Sequence, residues 1–338
     1  MASMASPLQR DLVVVTGKGG VGKSTVAAAL GVSAAREGRR TVVVELGEQR
    51  HLPALFERAA VLQQIAPEAP AGESGEPNGS SARSEPADAS SGAEVALAEN
   101  LWSLTIDPDR ALLEWLQRLG GRVPGRILAN SGTFQYFAGA APGAKELVSM
   151  VKVWELTQVK RWRRRARGYD LVVLDAPATG HALGLLRSPH TFGAIARVGP
   201  VFGQAQKIRE LLEDPGQTSY LAVAQASEMA VGETLELKAE LRAQLGCELS
   251  ATIVNATLPR RFAADELARI ARLNGDDPVV RSAVEAAHAV HERGRSQQRQ
   301  IARLRRAGLS AISVPFVFAA ELDLEDVRRI GASLAKRL

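Results

Sequence analysis

The stretch Gly17 to Thr25, GKGGVGKST, constrains the fold more than any other part of this chain. It follows the apolar run Leu12 to Val15 and precedes an alanine-rich stretch, so the order reads strand, glycine loop, helix. Gly17, Gly19, Gly20 and Gly22 permit backbone conformations that a side chain would forbid, turning consecutive N–H groups round an anion. A helix starting near Lys23 adds the positive end of its dipole at the same point. In such a loop, with Val21 inside the cradle, Lys23 reaches the β- and γ-phosphates of a nucleotide, Ser24 holds Mg²⁺ and Thr25 donates to the α-phosphate. Lys18 is a second lysine in the loop. It cannot easily reach the phosphates of its own site, whereas it could reach those of a facing subunit.

Length and composition set the frame for this loop. The 338 residues are 46% hydrophobic and 23% charged, ample for a large core. Length alone suggests about two domains, but motifs serving one site run from Gly17 to Pro315. A single α/β domain over 9–338 with a helical subdomain inserted at 108–167 is therefore expected. The formal net charge of +5 suits an anionic ligand and does not by itself indicate nucleic acid, which is not expected as a partner. The one cysteine, Cys247, excludes a disulfide within the chain and reads as a small buried apolar residue. MASMASPLQR has no apolar core of signal-peptide length, and no run approaches about 18 apolar residues, so a cytoplasmic protein is expected.

Along the chain, the helix after the loop ends near Gly38, and Thr41 to Glu45 reads as a buried parallel strand, completing a βαβ unit. Residues 66–93 turn to Pro, Gly, Ser, Glu and Ala; burial there cannot offset ordering entropy, so a disordered acidic loop is expected. Leu101 to Asp107 resumes the sheet, and the chain reads as helical from about Arg110 to Arg167. Phe134, Tyr136 and Phe137 sit in a loop-like middle and read as core rather than as a partner surface. The run Lys160 to Arg167 is the densest charge and reads as a solvated helix face, with an anionic membrane or nucleic acid as the other reading. Tyr169 to Leu174 is a strand carrying Asp175 at its carboxyl end, the natural Mg²⁺-side carboxylate, directly or through water. Thr179 and Gly180 suit a loop that responds to the γ-phosphate. Tyr220 to Val223, Thr252 to Val254 and Ser310 to Val314 read as further strands, with a helix around Glu233 to Leu245 and an amphipathic helix at the end. Asn255 is either an adenine reader or a turn residue.

Taken together, GKGGVGKST, LWSLTIDPDRAL from Leu101, PGAKELVSMVKVWEL from Pro142, DAPATGHALGLLRSP from Asp175, EMAVGETLEL from Glu228 and TIVN ending at Asn255 resemble the ArsA/Get ATPases. That family includes the arsenite-pump ATPase and the ATPase targeting tail-anchored membrane proteins. The resemblance implies a P-loop NTPase with a mostly parallel sheet flanked by helices, binding ATP and Mg²⁺. It implies a nucleotide-driven dimer, open when empty and closed round two ATP molecules. Asp175 then looks like the second-switch aspartate, Asn255 the adenine-reading asparagine, and Pro315 and Phe316 the segment flanking adenine. Lys18 looks like the cross-subunit lysine, worth about 10³ to 10⁵ in rate. One glycine loop per chain implies a second chain, either another copy or a related ATPase.

The departures from that pattern shape the remaining expectations. After the second strand the family has Asp-Pro-Ala, where this chain has Glu45-Leu46-Gly47-Glu48. Glu45 is the candidate for orienting water, with Glu48 second. The CxxC of a dimer-bridging zinc site and the arsenite-binding cysteines are missing, so neither zinc nor arsenite activation is expected. A client or peripheral membrane partner remains open. The competing expectations are a ParA/MinD-like ATPase acting on a surface and a nucleotide-binding scaffold that hydrolyses little.

Overall fold

Along the strand Leu12–Gly17 (β1), side chains alternate between two apolar cores, Leu12 and Val14 facing one, Val13 and Val15 the other. A strand covered on both faces has no polar side to show, which explains its unbroken apolar run. The computed structural model describes residues 6–47, 51–65, 94–120, 143–162, 166–273 and 277–338. The expected acidic loop at 66–93, the stretch with Phe134, Tyr136 and Phe137, and Glu48 lie outside these residues.

From β1 the chain continues through α1 (Lys23–Arg36), β2 (Thr41–Leu46), α2 (His51–Ile65), β3 (Val95–Ala98), β4 (Leu101–Ile106), α3 (Pro108–Gly120) and α4 (Ala144–Thr157). It then forms β5 (Leu171–Ala178), α5 (Thr179–Ala196), α6 (Pro200–Glu213), β6 (Thr218–Gln225), α7 (Glu228–Leu245) and β7 (Leu249–Thr257). The last elements are α8 (Ala264–Ala271), α9 (Pro278–Arg306), β8 (Ala311–Pro315) and α10 (Leu324–Ala335). The eight strands form one sheet in the order β3-β4-β2-β5-β1-β6-β7-β8. Pairing is parallel except at the edge, where β3 runs antiparallel to β4. Since β1 lies between β5 and β6 and the connections run outward from it on both sides, a crevice opens at its carboxyl end.

Residues of α1, α2 and α10 close one face of the sheet, while α3 to α7 and α9 contribute to the core on the other. The alanines of α1 have a specific use. Val26 to Ala35 are all buried, because the helix is covered by the sheet on one side and by α10 on the other. A Cβ added to Gly331 of α10 would lie 2.3 Å from the Ala29 carbonyl oxygen, so small residues set this helix spacing. Cys247 is buried, as expected.

The expectation of a basic helix face at Lys160 to Arg167 is overturned. The helix ends at Thr157, and Lys160 and Arg167 instead pair as an antiparallel bridge. Arg161 turns inward, its side chain 0% exposed, with Nε 2.7 Å from Glu155 Oε1 and Nη2 2.7 Å from Glu94 Oε1. Lys152 approaches Glu155 at 3.1 Å from the other side, and the Tyr169 hydroxyl donates to Glu94 Oε2 at 2.8 Å. Burial opposes the charge on Glu155, yet hydrogen bonds from Arg161 and the charge of Lys152 hold its carboxyl below the ordinary range. A buried charge is tolerable when paired this fully and costly when one partner is removed. Thr179 and Gly180 likewise form the first turn of α5 rather than a loop.

Replacement of Arg161 by Met should therefore lower unfolding free energy by about 3–5 kcal/mol, measured by denaturant melts. The exposed Arg167→Met should stay within about 0.5 kcal/mol, and equal effects would contradict the inward role of Arg161.

Candidate nucleotide site

The glycine loop lies so close to the ends of β6 and β7 that side chains are excluded at two of its positions, Gly17 and Gly22. At Gly17 φ is +145°, and a Cβ would sit 2.1 Å from the Val223 carbonyl oxygen. At Gly22, which precedes α1 with φ +94°, a Cβ would meet Asn255 Nδ2 at 2.3 Å. The loop is further held by Asn255, whose Nδ2 donates to the Val21 carbonyl at 2.9 Å, while the Val21 side chain is buried in the core. Thr16 Oγ1 donates to the Pro177 carbonyl at 3.2 Å, tying the end of β1 to the segment after Asp175.

A cavity of about 920 Å³ opens between this loop and the ends of β2 and β5, within the range that a nucleotide needs. Gly19, Gly20, Gly22, Lys23, Ser24 and Thr25 line one side. Glu45 and Asp175 line the other and are partners in the parallel register of β2 and β5. Lys23 Nζ donates to the Lys18 carbonyl at 3.0 Å. Desolvation lowers the pKa of Lys23, partly countered by the charge of Asp175.

The two carboxylates carry the unusual electrostatics of the site. Burial raises the pKa of Asp175, against the Ser24 hydroxyl and the Lys23 charge that favour its ionised form. Burial also raises Glu45, and the charge of Asp175 adds to that rise. Glu45 Oε1 accepts the His51 backbone N–H at 2.9 Å, so one oxygen satisfies the otherwise unpaired start of α2. The other oxygen, Glu45 Oε2, and Asp175 Oδ1 are buried without a hydrogen-bond partner. Two orphaned carboxylate oxygens beside a hydroxyl form an oxygen-only donor set, which fits a hard cation such as Mg²⁺.

Lys18 does not line this cavity. Its ammonium instead donates to the Glu233 carboxylate and to Met229 Sδ at 2.7 Å, both on α7. Asn255 shows the behaviour of the turn reading, since its Oδ1 also accepts the N–H of Ala256, which has φ +56°. An adenine contact by this amide would have to replace these bonds. Pro315 and Phe316 stand at the same edge of the sheet but outside the cavity wall. Phe316 packs edge-on to Phe318 at 4.8 Å, and the Arg261 guanidinium lies 4.9 Å from the Phe318 ring. Sequence reasoning missed His51, Thr16, Met229 and Glu233. Only the last two left a signal, as residues one helical turn apart on α7, and nothing local indicates that Lys18 lies opposite.

Comparison with known proteins places this geometry. The family described as the CobQ/CobB/MinD/ParA nucleotide binding domain matches residues 12–336. ATPase BagA of Mycobacterium tuberculosis is 31% identical over 274 residues, which are 80% of this chain and 72% of that protein. A putative arsenical pump-driving ATPase of Halobacterium salinarum is 27% identical over 257 residues, covering 73% of this chain and 35% of that protein. ATPase GET3 of Kluyveromyces lactis is 24% identical over 284 residues, covering 73% and 72%. With the loop, the paired carboxylates and the parallel sheet in place, the chain belongs to the CobQ/CobB/MinD/ParA nucleotide-binding family, and it is a nucleotide-binding ATPase with more distant similarity to the ArsA and GET3 proteins.

Proposed function

We propose that the chain hydrolyses Mg-ATP as a dimeric switch, coupling its nucleotide state to a client or a peripheral membrane partner in the cytoplasm. The observation that carries this reading is the pair of orphaned oxygens, Glu45 Oε2 and Asp175 Oδ1, beside the glycine loop. Ser24 and Asp175 hold Mg²⁺, which neutralises phosphate charge when bound. Lys23 and the loop N–H groups bind the phosphates, and Glu45 orients water through its free oxygen. Asn255, Pro315 and Phe316 supply the adenine side. No helix among the described residues is long and apolar enough to cross a membrane.

Lys18 is the residue that supports the dimer in this reading. In a single chain this lysine rests on Glu233 and outside its own cavity. Charge supplied from a facing subunit, another copy or a related ATPase, completes the site, and closure exchanges the Glu233 carboxylate for phosphate. The pair is about one third exposed on each side, 34% and 34%, so it restrains rather than locks. Such a pair is worth up to about 1 kcal/mol.

A second reading, a scaffold that binds nucleotide with little turnover, is favoured by the bond from His51 to Glu45 Oε1, which limits that carboxylate as a water-orienting group. Phosphate release measured at saturating ATP separates the two: tight binding without turnover at any protein concentration supports the scaffold.

Hydrolysis per subunit should rise with protein concentration, and Lys18→Ala should reduce it by about 10³ or more. Activity independent of concentration and of Lys18 would refute the shared site. Glu233→Gln should lower the concentration for half-maximal activity by about fivefold, the equivalent of 1 kcal/mol. An unchanged midpoint would show that Glu233 does not restrain Lys18.

A further inference from the structure

Away from the nucleotide cavity, on the opposite core face, a cleft of about 580 Å³ lies between α3, the end of α4, the turn that follows it and α6. Three of the four tryptophans of the chain line it, Trp115, Trp154 and Trp162. Trp154 and Trp162 are only partly buried and rest on the core beneath. Val159, at the same wall, is 89% exposed, an unusual position for a β-branched apolar side chain. The apolar surface of the cleft is therefore open and joins flat indole rings to an aliphatic group.

Its charge is of one sign. Arg118, Lys160 and Lys207 line the cleft, and among the described residues no carboxylate does. Neighbouring acids are already committed: Glu155 and Glu94 pair with Arg161, and Glu114 with Lys152. Among the described residues none of the three lining cations has an ion-pair partner; Lys207 has only the Trp154 ring, 5.6 Å from its ammonium. The same wall contains two buried donors without acceptors, Trp115 Nε1 and Gln204 Nε2. Exposed cations beside open indole rings, with no acidic group among the described lining residues, form a surface complementary to an anion with an apolar body.

We propose that this cleft binds an amphipathic carboxylate, an acyl chain lying on the indoles and Val159 with its carboxylate toward Lys160 and Lys207. Lys160 and Lys207 are both exposed at this wall, so two ammonium groups stand beside the apolar surface, which suits a ligand with a single charged end. The inference does not rest on ATP turnover, because none of these residues lines the nucleotide cavity.

The test is titration of the full chain with dodecanoate below its micelle concentration, followed by tryptophan emission and calorimetry. Saturable one-to-one binding is expected, weakened about tenfold by Lys207→Glu and further by Lys160→Glu, with thermal unfolding and ATP hydrolysis unchanged. Dodecyltrimethylammonium, with the same chain and the opposite charge, should not compete. Absence of saturable binding, equal binding of the cationic amphiphile, or unchanged affinity in the Lys207→Glu, Lys160→Glu double variant would overturn the proposal. So would sedimentation with phosphatidylglycerol vesicles that depends on Lys207 while dodecanoate does not bind, since the cleft would then serve a membrane surface.

Discussion

A parallel strand buried on both faces meets solvent only at its ends, and everything functional here depends on how the carboxyl end of β1 is treated. The strand is fixed in place by β5 and β6 with two apolar cores above and below, so its last residue cannot move away from its neighbours. Gly17 then passes 2.1 Å, measured from where a Cβ would be, from the Val223 carbonyl. A loop of ordinary residues could not turn there. Glycines are required by the sheet as much as by any phosphate, and the same turn aims N–H groups outward at the start of α1.

Rigidity at this point lets the protein hold carboxylates where they are costly. Glu45 and Asp175 face each other across adjacent strands, with burial driving both toward the protonated form. In a softer scaffold the strands would part or the side chains would rotate into solvent. Here β2 and β5 are locked by their own backbone ladder and by apolar side chains on both faces. The arrangement resembles the Arg161 cluster in being charged and buried, but it differs in one respect. Glu155 is fully paired within the chain, whereas Glu45 and Asp175 each keep an oxygen unpaired. Both carboxylate oxygens of Glu155 are used within the chain, although Arg161 keeps one buried nitrogen, Nη1, without a partner, whereas each site carboxylate keeps an oxygen free beside the glycine loop.

What could be read from sequence follows the same logic. Strands β1, β2, β5, β6 and β7 were legible because double-sided burial demands largely apolar runs, and β4 and β8 were legible as well although each is only partly buried. The edge strand β3 was not, since its residues are largely exposed and carry little pattern. Nor was α9, which is strongly charged overall and fully buries only Ile301 and Leu304. The placement of the loop and Asp175 at one cavity was legible because strand ends in a parallel sheet converge, whereas Glu45 was reached only through the family resemblance. The misreading of Lys160 to Arg167 has a plain cause: the carboxylate that draws Arg161 inward belongs partly to Glu94, 67 residues earlier. Charge density in a local window cannot show a distant partner.

Lys18 carries that point furthest, because its partner Glu233 is 215 residues away in sequence. The loop geometry explains why Lys18 cannot simply swing back. Lys23 already occupies the space on the cavity side, with its ammonium on the Lys18 carbonyl, and the Lys18 side chain leaves the loop in the other direction toward α7. Two lysines five residues apart thus send their ammonium groups to different partners, the Lys18 carbonyl and α7. The ion pair with Glu233 shields a cation that the fold would otherwise leave at the surface, near Met229, which is 66% exposed. A partly exposed pair of this kind is weak enough to be exchanged for a phosphate, a stronger and more highly charged acceptor. The pairing and its weakness are therefore both consistent with a surface built to meet a second subunit.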